Sequence, residues 1–471
     1  MNQSPTVLKF GGTSVEDARA FERAARIVLA QADASPVVVV SAMSRFTDAL
    51  LASFKRAAEE GEAGEAALTL EEHFERHRAV ARELLNAEDA AAFGATLGKA
   101  RCELAALLQA AATQTEDRPA LQDEVVSYGE RLSADLLAGA LRAAAAGARP
   151  ARHVDARRCI VTDGQFGQAE PEMKETTRAT REAVVPVLEA GEIPVLGGFI
   201  ASTPEGMTTT LGRGGSDYTA AIVGAALQAR EIQIWTDVSG VLTADPRVVA
   251  GARSVPRLSY AEAAELAYFG AKVLHPKTIL PAVVRGIPVR ICNSRDPESE
   301  STVINFDTDA TPHTVKAIAH KKSVTIVHVT SARMLGAYGF LRALFEVFDR
   351  HRTVVDLVTT SEVSVSLSLD GTHALDAVVA DLERIGAVKV EHGRAVICVV
   401  GEGLRDARGV AAKIFTAVRD INVMLISQGA SSINLTFVVD ESHAERAVRQ
   451  LHEAFFEQNT RELYQTAAAD D

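Results

Sequence analysis

The sequence predicts an α/β domain built on a mostly parallel open sheet with helices on both faces, followed by two small α+β modules. Three observations lead to this prediction. Strand-like and helix-like segments alternate over the amino-terminal part of the chain. A polar, turn-rich stretch follows Ile291 and marks a domain boundary. Beyond that boundary, the pattern of 324–370 recurs without gaps at 394–440.

The amino-terminal elements follow from their composition. An apolar run over 6–10 predicts a first strand, which Gly11 and Gly12 interrupt. Four β-branched residues in a row at 37–40 indicate a central strand that is buried on both faces. The stretch 48–114 contains no proline and is rich in Ala, Leu, Glu and Arg, so it predicts a helical layer over one side of the sheet. Three further strand-like runs complete the alternation, at 193–196, 231–236 and 287–291.

The carboxy-terminal repeat predicts two copies of one unit. Each copy contains a strand, a turn that ends in glycine, an amphipathic helix, and two strands around a serine-containing turn. Four pairs of identical residues align, namely Gly339 with Gly409, Phe345 with Phe415, Ser361 with Ser431, and Asp370 with Asp440. The predicted domain boundaries are 1–300, 313–390 and 391–465.

Composition excludes several classes of function. The 62 acidic and 49 basic residues leave a net charge of −13, which disfavours polyanion binding by bulk charge. The four cysteines lie far apart without a CxxC pair, so we expect free thiols, a reducing compartment and no metal site. No export signal and no uninterrupted apolar run of about 18 residues is visible, so we expect a cytoplasmic protein.

The first candidate site is the segment from Lys9 to Ser14. Two glycines between a strand and a helix let the backbone approach an anion, and Lys9 adds a cation at the same place. A plain β-to-α turn is the alternative interpretation.

The second candidate is a glycine-rich segment that opens a predicted helix over 218–227. Gly212, Gly214 and Gly215 surround Arg213, and Ser216 and Asp217 follow them. This arrangement predicts a nest for an anion. A surface loop is the alternative.

The third candidate follows a strand that ends in Thr236 and Asp237, because ligands bind beyond the carboxyl ends of parallel strands. Arg247 and Lys272, further along, are candidate phosphate clamps or ordinary surface cations. The chain lacks the P-loop, dinucleotide-fold, protein-kinase, GxSxG and HExxH motifs. Glycine-rich anion loops with scattered cations therefore favour phosphoryl transfer.

Four motifs carry a family resemblance. VLKFGGTSV at 7–15, TTTLGRGGSDYTA at 208–220, IWTDVSGVLTADPRVV at 234–249 and FGAKVLHP at 269–276 resemble aspartate kinases of the amino-acid kinase superfamily. The repeated modules resemble the paired ACT regulatory domains of these enzymes. The segment 334–362 is most similar to the lysine-sensitive, monofunctional subgroup.

The resemblance implies an activity and its regulation. The chain would transfer the γ-phosphoryl group of ATP, with Mg²⁺, to the side-chain carboxylate of L-aspartate. The product, 4-phospho-L-aspartate, starts lysine, threonine and methionine biosynthesis, and L-lysine would inhibit the enzyme. A homodimer or higher homo-oligomer through the ACT domains is expected. The alternatives are another amino-acid kinase that forms an acyl phosphate, and a catalytically inactive amino-acid sensor.

The resemblance also implies residue roles. Lys9 would be catalytic, oriented by Asp217, and Gly11 and Gly12 would donate backbone N–H groups to the transferring phosphoryl group. The implied nucleotide-site residues are Lys9, Gly11, Gly12, Ser41, Thr236, Asp237, Arg247 and Lys272. The implied aspartate-site residues are Thr47, Glu130, Phe199, Arg213 and Ser216. The implied effector-site residues are Met334, Phe340, Leu341, Asp356, Thr360, Ser361 and Glu362.

Several of these residues have ordinary alternatives. Glu130 is interpreted as lying at the start of a helix over 129–137, where it could equally be a simple helix acid. Phe199 could be a core residue, and the effector residues could merely build their module. Two departures from the family pattern stand at Arg45, which makes the Thr47 contact less secure, and at Leu242, which removes a tyrosine hydrogen bond. The second copy has Leu404 and Val410 at matching positions, so only the first is expected to bind effector.

Overall fold

The computed structural model describes residues 4–145, 150–270, 274–306, 315–336 and 338–457. The chain divides into two compact units. The first unit comprises Met1–Val241, Pro256–Tyr260 and Leu274–Asp307. The second unit comprises Leu242–Val255, Ala261–Val273 and Thr308–Asp471.

The strands and helices alternate over the amino-terminal part, as predicted. Its strands are β1 (Thr6–Phe10), β2 (Pro36–Val40), β3 (Ala151–Val154), β4 (Ile193–Gly197), β5 (Ile200–Ser202), β6 (Thr208–Thr210), β7 (Glu231–Thr236), β8 (Arg257–Ser259), β9 (Val289–Asn293) and β10 (Thr302–Asn305). Its helices are α1 (Ala18–Ala30), α2 (Phe46–Glu60), α3 (Ala63–Leu68), α4 (Glu71–Leu84), α5 (Ala87–Thr113), α6 (Arg118–Ala144), α7 (Met173–Glu189), α8 (Gly215–Leu227), α9 (Tyr260–Tyr268) and α10 (Leu280–Arg285).

The first unit is organised around an eight-stranded sheet in the order β3-β4-β2-β1-β7-β9-β10-β8. The six strands from β3 to β9 run parallel, and β10 pairs antiparallel with β9. The five residues of β2 are all buried, as expected for a central strand. The mostly parallel sheet predicted from the sequence is confirmed.

The helical layer predicted over 48–114 is present as α2 to α5. Alternate residues of β1, Leu8 and Phe10, join the core under this layer. Lys9 alternates with them and is paired with a residue of α8. The sheet therefore presents its lysine on the face opposite to the helical layer.

The interpretation of Glu130 as a residue at a helix start is wrong. It lies in the middle of α6, a helix of 27 residues. Pro119 stands at the first turn, where a missing N–H costs nothing, and the helix continues through Gly129. A Cβ on Gly129 would lie 2.7 Å from the Cβ of Ala42. The glycine taken as a helix boundary is thus needed for close packing instead.

The second unit contains one six-stranded antiparallel sheet. Its strands are β11 (Val315–Thr330), β12 (Val355–Thr360), β13 (Ser364–Leu369), β14 (Ala387–Gly401), β15 (Leu425–Gln428) and β16 (Asn434–Asp440). Its further helices are α11 (Phe340–Arg350), α12 (Leu375–Leu382), α13 (Val410–Ala417) and α14 (Ala444–His452). The sheet order is β12-β13-β11-β14-β16-β15.

Each long strand of this sheet serves two hydrophobic cores. Val327 and Val329 of β11 pack in one core with residues of α11 and α12. Val315 and Ile318 of the same strand pack in the other core with residues of α13 and α14. The second copy of the repeat therefore takes its fourth strand from the chain segment that precedes the first copy.

The repeat also appears in the helix starts. Gly339 and Gly409 both precede a helix, with φ angles of +79° and +82°. Such positive φ angles favour glycine, which explains why this pair is identical. Among the described residues, no helix is long and apolar enough to cross a membrane.

Candidate active site

A pocket of about 480 Å³ lies where β1, β2, β4 and β7 end. These four strands are neighbours and parallel, so the loops that follow them meet at one edge of the sheet. The pocket brings together ten of the residues predicted from the sequence, namely Lys9, Gly11, Gly12, Ser41, Thr47, Glu130, Phe199, Ser216, Asp217 and Thr236.

Lys9 and Asp217 form a largely buried ion pair in the first unit. Lys9 Nζ lies 2.7 Å from Asp217 Oδ1, and the two side chains are 10% and 15% exposed. Asp217 belongs to the first turn of α8, where a negative charge is favoured by the helix dipole. The pair holds the ammonium group at the pocket wall with its direction fixed.

The two glycines after β1 differ in what they offer a ligand. The N–H of Gly11 donates to the carbonyl of Trp235 at 3.1 Å, so this predicted donor is already engaged. Gly12 begins a short 3-10 turn rather than α1 itself. A Cβ on Gly12 would lie 3.0 Å from the Ala42 carbonyl oxygen, so its glycine is required for the approach of the next loop.

The second glycine-rich loop packs against the residues that follow β4. A Cβ on Gly198 would lie 2.6 Å from the Cβ of Ser216. A Cβ on Gly215 would lie 2.6 Å from the Phe199 ring. Phe199 has a φ angle of +66°, and its N–H donates to Thr219 Oγ1 at 2.9 Å. The two loops therefore fit only because both carry glycine, and they fix Phe199 in a strained conformation.

Arg213 lies between Gly212 and Gly214, which have φ angles of +72° and +75°. Its side chain is exposed, and it is not among the residues that line the pocket. Its neighbours Gly212 and Gly214 do line it. The structure thus places Arg213 beside the pocket rather than inside it.

Glu130 is buried at the pocket wall, with 3% of its surface exposed. Its Oε1 accepts the N–H of Ala42 at 3.2 Å, while Oε2 is buried without a hydrogen-bond partner among the described residues. Burial raises the pKa of this carboxyl to about 8, and the Ala42 hydrogen bond opposes that shift. An unpartnered carboxylate oxygen at a pocket is suited to a cationic ligand group.

The other predicted nucleotide residues are dispersed. Thr236 lines the pocket, and its hydroxyl donates to Asp237 Oδ1 at 3.2 Å, with Asp237 exposed. Arg247 belongs to the second unit, where its exposed guanidinium pairs with Asp245 at 2.6 Å. Lys272 lies outside the described residues. Among the described residues no group of three or more His, Cys, Asp or Glu side chains could hold a metal ion.

Part of the pocket wall consists of residues that were not predicted to belong to the site. Ser44, Arg45 and Asp48 line the pocket, and Arg45 has a φ angle of +69°. Arg76 of α4 fixes this wall from behind, because its guanidinium donates to the carbonyls of Ser44 and Glu16. The sequence carried no motif around Arg76 that could have revealed this contact.

The predicted effector residues all lie in the first copy of the repeat, which belongs to the second unit. Thr360, Ser361 and Glu362 are exposed at the end of β12. The Asp356 side chain is only 3% exposed and lies 3.5 Å from Lys321 Nζ. Burial and the neighbouring Asp370 raise the pKa of Asp356 to about 8. Asp356 is therefore already next to a cation of the chain itself.

Comparisons with known proteins show which family models and which relatives the chain matches. The amino acid kinase family model matches residues 4–293, and an ACT domain model matches 397–455. Lysine-sensitive aspartokinase 3 of Escherichia coli is 39% identical over 459 residues, which are 96% of this chain and 99% of that protein. Chloroplastic aspartokinase 3 of Arabidopsis thaliana is 39% identical over 475 residues, 96% of this chain and 82% of that protein.

The chain belongs to the aspartokinase family. Membership makes it a kinase that phosphorylates aspartate, as the sequence resemblance implied. Two solved structures of E. coli aspartokinase III resemble it throughout. The complex with aspartate and ADP has a TM-score of 0.81 at 39% identity, and covers 96% of this chain and 100% of that one. The complex with lysine and aspartate has a TM-score of 0.80 at 38% identity, and covers 97% and 100%.

The family assignment also confirms the predicted fold class. An amino-acid kinase fold is followed by a regulatory unit of the ACT type. The ATP requirement follows at the level of the family, since a related structure holds ADP.

Proposed function

We propose that this chain transfers the γ-phosphoryl group of ATP to the side-chain carboxylate of L-aspartate in the pocket of the first unit, and that L-lysine inhibits it. One observation carries the proposal. The same pocket presents a buried lysine and, on another wall, a buried carboxylate oxygen without a partner. The first group suits a phosphate and the second suits an ammonium, so the pocket matches ATP and an amino acid together. The related structure with aspartate and ADP supports this pairing.

The chemistry requires charge neutralisation rather than a base. A carboxylate with an ordinary pKa near 3.9 is already ionised at neutral pH, so the nucleophile needs no deprotonation. The barrier arises because this anion must approach a polyanionic phosphate. Lys9 would stabilise the charge on the transferring phosphoryl group, and Asp217 would hold Lys9 in direction.

The amino acid would be held at both ends of its backbone. Glu130 would accept the α-ammonium, because its Oε2 has no partner in the part of the chain that the structure describes. Arg213 would reach the α-carboxylate from the rim, with Ser216 and Thr47 nearby. Phe199 would shape the remaining wall. The Glu130 carboxyl and the Arg213 guanidinium would together select an α-amino acid by its charged backbone groups.

The nucleotide would occupy the part of the pocket near Gly12, Ser41 and Thr236. The predicted contributions of Gly11, Asp237, Arg247 and Lys272 stay predictions from the sequence. Mg²⁺ in kinases is held largely by the phosphates of the nucleotide and needs few protein ligands. That coordination fits a pocket wall without a dedicated cluster of metal ligands among the described residues.

Regulation would lie in the first copy of the repeat. We propose that Met334, Phe340 and Leu341 with the end of β12 hold L-lysine, since the related E. coli structure binds lysine. Glu362 is exposed and free to meet a ligand ammonium, whereas Asp356 is buried near Lys321. Assembly into a homodimer or larger homo-oligomer through this unit, and a cytoplasmic location, stay predictions from the sequence.

A coupled phosphorylation assay tests the proposal. Purified protein is given ATP and Mg²⁺ with L-aspartate, L-glutamate or N-acetylglutamate, and each reaction is repeated with lysine and with threonine. We expect turnover with aspartate and inhibition by lysine. Preferential turnover of glutamate or acetylglutamate would assign another acyl-phosphate kinase, and nucleotide binding without any turnover would assign an inactive sensor.

A further inference from the structure

A second acidic residue of α6 is buried beside the glycine-rich loop. The Asp123 carboxylate is 1% exposed. Its Oδ2 accepts the N–H of Thr210 at 2.8 Å and the N–H of Gly167 at 2.9 Å, and its Oδ1 accepts the Thr210 hydroxyl at 2.9 Å. No ion pair joins it to a cation in the part of the chain that the structure describes. Burial of a carboxylate without a countercharge costs free energy, and hydrogen bonds from neutral donors offset part of that cost.

Two of the three donors belong to Thr210, in the chain segment that leads into Arg213, and the third belongs to Gly167. Thr210 ends β6, and Arg213 follows three residues later. The carbonyl of Thr210 is also engaged, because it accepts the N–H of Ala169 at 2.9 Å. Gly212 then packs against the carbonyl of Gly167, 3.3 Å from where its Cβ would stand. The root of the Arg213 loop is therefore fixed between Asp123 and the 167–169 segment.

The other end of β6 is tied to the same helix. Glu124, next to Asp123, lies 3.4 Å from Arg157 Nη1. That Arg157 nitrogen donates to the hydroxyl of Thr208, the first residue of β6, at 3.0 Å. Neighbouring acidic residues of α6 thus hold both ends of a three-residue strand.

The same helix carries Glu130. Asp123 and Glu130 are seven residues apart, about two helical turns and about 10 Å along the axis, so they lie on one face of α6. Glu130 reaches the pocket, while Asp123 reaches the base of the loop. The helix therefore acts as a rigid spacer between the two charged groups assigned to the amino acid.

We propose that Asp123 is a positioning residue that fixes the Arg213 loop relative to Glu130 and so sets the distance between the sites for the α-carboxylate and the α-ammonium of aspartate. The inference rests on the roles proposed above for Arg213 and Glu130. Asp123 is not among the residues that line the pocket, and we expect its effect on the binding of the amino acid. The nucleotide side of the pocket, around Lys9 and Thr236, has no contact with it.

Two substitutions separate positioning from charge. Asp123→Ala removes all three acceptor contacts. Asp123→Asn keeps them in number, because the amide oxygen accepts both N–H groups and the amide nitrogen donates to the Thr210 hydroxyl. Val125→Ala is the matched control, since Val125 is fully buried in the same helix and contributes only packing. Steady-state kinetics with aspartate and ATP, and the melting temperature, are measured for each variant.

We expect Asp123→Ala to raise KM for aspartate at least about tenfold and leave KM for ATP within about twofold, because small misplacements of binding groups are costly. Asp123→Asn should keep both values near wild type, and Val125→Ala should lower the melting temperature with both KM values unchanged. Equal increases in the two KM values, or an increase for aspartate in Val125→Ala, would overturn the positioning role.

A further variant keeps the test decisive if Asp123→Ala does not fold. Thr210→Val removes only the hydroxyl contact, and we expect a smaller rise in KM for aspartate alone. An unchanged KM for aspartate in this variant would contradict the inference. The proposed function is tested separately by Arg213→Ala and Glu130→Gln. If these raise KM for aspartate while Thr210→Val does not, the positioning role fails and the proposed function stands.

Discussion

Binding of aspartate should drive a proton off Glu130. Burial raises the pKa of this carboxyl to about 8, with only the Ala42 N–H opposing the shift. At pH 7 about nine in ten Glu130 side chains are therefore protonated in the free protein. A ligand ammonium next to Oε2 stabilises the carboxylate and lowers its pKa again. Aspartate binding should thus release about 0.9 proton at pH 7, about 0.5 at pH 8 and about 0.1 at pH 9.

The same shift fixes the sign of two pH dependences. Only the ionised form accepts the ammonium, so the affinity for aspartate should rise about tenfold per pH unit below pH 8 and then level off. Folding stability changes in the opposite direction. The folded pKa lies above the ordinary value of 4.5, so the folded state holds the extra proton, and stability is lost as pH rises from about 4.5 to about 8. The loss attributable to Glu130 is about 5 kcal/mol over that window.

Calorimetric titration measures the proton release directly. Aspartate is titrated into the protein with ADP present at pH 7, in buffers of different ionisation enthalpy, and the slope of the observed enthalpy gives the number of protons. Glu130→Gln has no proton to lose and should give a slope reduced by about 0.9. Ser133→Ala, a buried residue of the same helix outside the pocket lining, should keep the wild-type slope. A wild-type slope equal to that of Glu130→Gln would refute the reasoning.

Three further predictions concern other parts of the molecule. Lys9→Met should lower kcat by a factor of about 100 or more. It should also destabilise the fold by about 3 kcal/mol, since it leaves Asp217 buried without its partner. A combined Lys9→Met and Asp217→Asn variant should regain melting temperature but not turnover. Gly198→Ala should lower the free energy of unfolding by about 1 to 3 kcal/mol and reduce activity, because its Cβ would lie 2.6 Å from Ser216. Gly94→Ala in α5, with nothing within 4 Å, should be neutral or stabilising. Equal melting temperatures for the two variants would contradict the packing argument. Glu362→Ala should raise the lysine concentration needed for half inhibition and leave uninhibited turnover unchanged, and an unaltered inhibition curve would remove Glu362 from the effector site.

Much of the fold could be predicted because local pattern and tertiary structure agree. Three of the five residues of β1 are apolar and all five are buried, and the structure forms a strand over those residues. The four valines of β2 occupy the centre of the sheet, where burial on both faces favours them. The proline-free stretch after β2 forms helices since nothing in it competes with that state.

The error at Glu130 has a physical cause. Glycine is commonly read as a helix boundary because it costs helix stability, and Gly129 preceded the acid of interest. In the structure this cost is accepted, since only glycine lets the 41–47 loop come within contact of α6. A close approach between segments 87 residues apart leaves no trace in the local pattern.

The strand exchange in the second unit escaped prediction for a similar reason. The second copy, at 394–440, is completed by 315–321, which pairs with β14 and packs in the same core. A self-comparison of the sequence aligns the parts that both copies keep, so it could not reveal where a copy is completed. Topology of this kind depends on which edge of a sheet is open, and not on the propensity of the segment that fills it.

Residues of the site could be predicted where the side chain itself indicates the chemistry. The contacts made by backbone groups could not be predicted from the sequence. Lys9 and Asp217 stand out in sequence because a charge within an apolar or glycine-rich context is costly without a partner, whereas Glu130 was implied only by the family resemblance. Gly11 was expected to offer a free N–H, yet the neighbouring strand takes it through the Trp235 carbonyl. Asp123 belongs to no motif in the sequence, because its three donors come from segments 44 and 87 residues away. Charged residues of the pocket can therefore be recognised from the local sequence. The distances between them are set by α6 and are known only once the chain is folded.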